Sequence, residues 1–92
     1  MPIPTRDEIK PKVIAKLKAI TDEDDLVEKE NSSLVRDLGM SDILKKAMAV
    51  PYSKISTAYG SGIKVTMTDA GKCETVGESV DLVFKRAKGE KK

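Results

Sequence analysis

A chain of 92 residues with 17 Lys and Arg against 15 Asp and Glu, one cysteine and no histidine fits a single domain and excludes several chemistries. Without histidine there is neither a Ser–His or Cys–His nucleophilic dyad nor an ordinary zinc set. The lone Cys73 makes no internal disulfide. No apolar run nears the ~20 residues of a membrane span, and the N-terminus lacks the basic-then-apolar order of a secretory leader. A cytoplasmic, monomeric domain off the membrane is the expectation, with residues 5–87 as its core and 88–92 as a basic tail.

The formal charge of +2 is unevenly spread. Asp22, Glu23, Asp24, Asp25, Glu28 and Glu30 face only Lys29 within one stretch, whereas Lys85, Arg86, Lys88, Lys91 and Lys92 face only Glu90 at the end. Such asymmetry bears on partners and steering rather than on fold.

Thr5 and Glu8 have capping-box spacing, and Ile9, Val13, Leu17 and Ile20 then recur on one helical face. Pro11 lies inside this pattern, so the helix begins either at the Thr5 cap or nearer Lys10, with the proline in its first turn. Residues 21–39 read as a long acidic connection with Leu26, Val27, Leu34, Val35 and Leu38 as apolar anchors. The run lacks the register of a calcium loop. A second helix begins at Ser41, carries Ile43, Leu44, Ala47, Met48, Val50, Ile55 and Tyr59 as a broken stripe, and is expected to kink or split at Pro51. Gly60-Ser61-Gly62 ends it. Ile63, Val65 and Met67 alternate, but with no partner segment they read as an extended linker before a short helical turn at Asp69–Lys72. The last helix opens on a second capping box, Thr75 and Glu78, and lines up Val76, Val80, Val83, Phe84 and Ala87. The sum is an all-α domain, a small four-helix bundle with one long loop after the first helix and a short third helix. Its few aromatics (Tyr52, Tyr59 and Phe84) leave the interior to aliphatics, with Cys73 in an aliphatic position that suits a buried thiol.

Ser33-Leu34-Val35-Arg36-Asp37-Leu38-Gly39 resembles the approach to the modified serine of acyl carrier proteins. Tyr59 and Ile63 resemble the close of that family's second helix, and Thr75-Val76-Gly77-Glu78-Ser79-Val80 the start of its last. The resemblance spans residues 5–87 in order and implies a non-enzymatic carrier. Acyl groups ride as thioesters on a 4′-phosphopantetheine arm, attached by a phosphopantetheinyl transferase and served by separate acyl-transferring or acyl-modifying enzymes of lipid-type biosynthesis. It places the attachment on Ser41, with Asp37, Leu38, Gly39, Met40 and Asp42 around it, and Met40, Ile43, Leu44 and Met48 beside the arm or its acyl pocket. A serine opening a helix sets a phosphodiester against free backbone N–H groups.

Three features depart from the family. One residue, Met40, separates Gly39 from Ser41 where the family has two, so ungapped alignment puts Asp42 in the serine's place. The second helix is longer and holds Pro51. It is also basic, with Lys45, Lys46 and Lys54, where the family's docks acidic on basic partners. The last feature points to a specialised carrier whose partners dock on those lysines. The rival reading is an unmodified protein–protein interaction module in which Ser41 only caps the helix. A small basic nucleic-acid binder is a third, without any helix-turn-helix, zinc-finger or base-stacking pattern behind it.

Overall fold

A computed structural model describes residues 4–22, 25–59 and 62–90. Glu23 and Asp24 of the acidic run, the Gly60-Ser61 pair and Lys91-Lys92 of the basic tail lie outside the described residues. Among the described residues five helical segments follow in order: α1 (Arg6–Thr21), α2 (Asp42–Ala47), α3 (Ala49–Ser56), α4 (Met67–Lys72) and α5 (Val76–Ala87), with a 3-10 turn at Leu26–Glu28. Among the described residues there is no strand, only an isolated antiparallel bridge between Ser33 and Thr75. The domain is all-α, and with α2 and α3 taken as one broken rod it is a four-helix arrangement. No described helix is long and apolar enough to cross a membrane.

The caps set the boundaries. Thr5 accepts the Glu8 N–H (3.2 Å), so α1 starts there and carries Pro11 in its interior. The carbonyl that Pro11 leaves unserved is that of Asp7, in an exposed turn where water reaches it. Asp22 ends α1 in a left-handed conformation, φ 60°. The rod breaks at Met48 between α2 and α3. Pro51, in the first turn of α3, has no N–H for the Ala47 carbonyl, and the ladder resumes with Tyr52 N–H on Met48 O at 3.0 Å. At α5 both halves of the capping box form: Thr75 takes the Glu78 N–H and the Glu78 carboxylate takes the Thr75 N–H.

The core joins Ile9, Val13 and Leu17 of α1 to Val76, Val80, Val83 and Ala87 of α5. Met48, Ala49, Tyr52 and Ile55 close it on one side, and Val27, Leu34, Leu38 and Met40 of the long connection on another. The linker before α4 is extended and pinned. Ser53 exchanges hydrogen bonds with both backbone groups of Val65 (2.8 and 3.0 Å), Ser56 donates to Ile63 O (2.6 Å), and Ile63 N–H donates to Arg86 O (2.9 Å).

Four expected core positions face water instead: Ile20, Val35, Val50 and Ile43, the last 81% exposed. Ile20 is in the last turn of α1, beyond Leu17. In α2 the inward phase is set by Leu44 and Met48, one turn apart. This turns Lys45 inward and puts Ile43 on the opposite side.

Candidate functional site

The segment that leads into α2 is a hydrogen-bonded loop. The Asp37 carboxylate accepts the Ser33 N–H at 2.7 Å, and the Ser33 hydroxyl accepts the Arg36 N–H at 3.1 Å. Asp37 and Leu38 N–H groups return to Ser33 O, and Met40 N–H reaches Leu34 O at 2.9 Å. Leu34, Leu38 and Met40 anchor the loop in the core. Gly39 takes φ 70°, a conformation that side chains resist, and no heavy atom lies within 4 Å of where its Cβ would stand.

Ser41 follows, exposed, in extended conformation, its Oγ accepting the Leu44 N–H at 3.1 Å. The hydroxyl caps α2 and keeps its proton to give away. Asp42 stands exposed beside it as the first residue of the helix. The expected neighbours divide. Gly39, Ser41, Asp42 and Ile43 come together at the surface, whereas Leu38, Met40 and Met48 are core and Asp37 is committed to its own loop. Leu44 is half-buried.

The lysines also divide. Lys46 and Lys54 are exposed, but Lys45 is 7% exposed. Lys45 is therefore corrected out of an outward docking face: the phase fixed by Leu44 and Met48 turns it inward. Ile43, Val50 and Met67 supply exposed apolar surface on the same helices as Lys46 and Lys54 and on α4. A groove of about 550 Å³ runs between α3 and the linker, floored by Ala49 and Val65 and edged by Lys54 and Lys64.

Cys73 is buried, and burial pushes its thiol up to about 11. Burial raises the Tyr52 phenol against the opposing pull of the neighbouring Ser79 hydroxyl, and neither hydroxyl reaches a partner with the geometry of a full hydrogen bond. Among the described residues no group of three His, Cys, Asp or Glu side chains is placed to hold a metal ion.

A charge cluster that periodicity does not reveal ties three segments together. Arg6 hydrogen-bonds Glu30 and Asp81, and Lys10 adds a second ion pair to Glu30 at 3.0 Å. Gly77 N–H donates to Glu30 O at 2.7 Å, an approach so close that a Cβ there would meet Glu30 at 3.1 Å. The Arg6 guanidinium, then Lys10, holds the Glu30 carboxyl at about 2.

Fold and surface together define a small all-α domain with a capped, exposed serine between a tight loop and a basic helix. Comparison with protein-family models, with curated proteins and with solved structures finds no match.

Proposed function

We propose that the chain is an acyl carrier protein-like domain, modified on Ser41 with 4′-phosphopantetheine and serving a specialised acyl-transfer pathway. The observation that carries the reading is the exposed Ser41 hydroxyl directly after Asp37-Leu38-Gly39-Met40, one position before the place that ungapped alignment with acyl carrier proteins gives the modified serine. The helix order is also compatible with that family: a long connection after the first helix and a short helix before the last.

The residues present fit the group. Space around Gly39 is open, and the Ser41 oxygen is at the surface with its proton unused. When bound, the arm supplies a thiol that carries acyl groups as thioesters. The chain itself does the rest. Ser41 provides the phosphodiester oxygen and releases its proton to the transferase. The loop from Ser33 to Met40 holds that serine in place through its internal hydrogen bonds. Lys46 and Lys54, with Ile43 and Val50 beside them, form a basic and apolar docking face for acyl-handling enzymes of acidic surface. On this reading the domain is a carrier and not a catalyst. The test is intact mass before and after incubation with coenzyme A and a broad-specificity phosphopantetheinyl transferase, with peptide mapping to Ser41.

A second reading, an unmodified interaction module of the same architecture, is favoured by one observation. Ser41 already accepts the Leu44 N–H as a helix cap, a sufficient structural reason for a serine there. Absence of any mass gain would select it.

A further inference from the structure

A cleft of about 500 Å³ opens between the Ser33–Arg36 loop, Lys45 of α2 and the Glu74-Thr75 entry to α5. Its walls are fixed. Leu34 N–H donates to Glu74 O at 2.8 Å, Val76 N–H to Ser32 O at 3.1 Å, and Ser33 pairs with Thr75 as an isolated bridge. The Glu78 carboxylate is spent on the backbone of Glu74 and Thr75. Lys45 lines this cleft with only 7% of its surface exposed, and it makes no ion pair or hydrogen bond among the described residues. The lysine stem is packed away while its ammonium still reaches solvent at the cleft, so it offers the cleft a cation that no carboxylate of the described residues pairs with. Arg36 and Glu74 also line the cleft, and neither side chain has an ion pair among the described residues. Ser33 accepts the Arg36 N–H and retains a hydroxyl proton to donate.

We propose that this cleft binds a small carboxylate that carries a hydroxyl or ammonium group next to it. Lys45 and Arg36 take the carboxylate, with Ser33 donating to it, and Glu74 accepts from the neighbouring hydroxyl or ammonium. Two cations and one carboxylate leave a single net positive charge, which suits a monoanion better than a phosphate dianion. Binding is independent of any modification of Ser41, since no lining group depends on it.

Amide chemical shifts of the full chain, titrated with lactate, alanine, propionate and inorganic phosphate in turn, test the assignment. Saturable shifts confined to Ser33–Arg36, Lys45 and Glu74-Thr75 are expected, with lactate or alanine at least ~5-fold tighter than propionate, a factor within reach of one satisfied polar contact. Lys45→Met abolishes them in a domain whose spectrum stays dispersed, and Glu74→Gln brings lactate down to propionate. Should Lys45→Met fail to fold, the exposed Arg36→Gln tests the same cleft through a ~5-fold loss of affinity. Equal, unsaturated shifts with all four probes, or binding unchanged in these variants, would mean a lysine that collects counterions only and would overturn the proposal.

Discussion

Replacing Glu30 by Gln isolates the charge cluster that binds the long connection to α1. Glu30 takes Arg6 and Lys10, and Arg6 goes on to Asp81 of α5, so one carboxylate links the start of α1, the connection and the last helix. A carboxyl held at about 2 instead of 4.5 corresponds to about 3 kcal/mol if fully shielded from water. Glu30 leaves 35% of its side chain exposed, so screening brings the working figure down to about 1–2 kcal/mol. The sign follows from the direction. The folded protein holds this proton less tightly than the unfolded chain does. The contribution is therefore whole above the unfolded value of 4.5 and fades as pH falls toward about 2. Urea unfolding of parent and Glu30→Gln should differ by about 1–2 kcal/mol at pH 7, and the gap should close as the pH approaches about 2.5. Parallel pH profiles for the two proteins, or no difference at pH 7, would refute the reasoning.

Three further perturbations probe separate parts of the molecule. Tyr52→Phe removes a buried hydroxyl that makes no full hydrogen bond and leaves the ring in place, so unfolding free energy should rise by up to about 1 kcal/mol; a loss would show that the hydroxyl pairs with neighbouring Ser79 or a bridging water. Cys73, neutral far above physiological pH and buried, should resist iodoacetamide at pH 8 in the native state and react fully in urea. Rapid native labelling would contradict its burial. Ser41→Ala should cost about 1 kcal/mol through the lost cap and abolish phosphopantetheine loading, whereas Asp42→Asn should leave loading intact. Loading at an unchanged rate in Ser41→Ala would move the site elsewhere.

Much of the local architecture was legible because capping is a short-range affair. Ser41 and Thr75 announce two helix starts by side chain and spacing alone, and the structure places caps at both; at α1, where Pro11 left the start open between Thr5 and Lys10, the Thr5 cap decides it. Pro51 likewise marks the break between α2 and α3, since the missing N–H acts within one turn. The buried face of α5 follows from its valine spacing. What escaped is set by contacts distant in sequence. Arg6 meets Asp81 across 75 residues, and the Ser33–Thr75 bridge joins a loop to a helix entry, with no periodicity to signal either. Counting Ile43 as core failed because a six-residue helix allows several phases and packing through Leu44 and Met48 chose the one that buries Lys45. The candidate serine was visible through its neighbours Asp37, Leu38 and Gly39. The cleft around Lys45 was not, because its walls come from three separate segments.

The most direct test of the carrier reading is intact mass after incubation with coenzyme A and a promiscuous phosphopantetheinyl transferase. A working carrier gains one phosphopantetheine on the peptide containing Ser41, and Ser41→Ala gains none. A folded protein that gains no mass with several such transferases would contradict the carrier reading and leave the interaction module in its place.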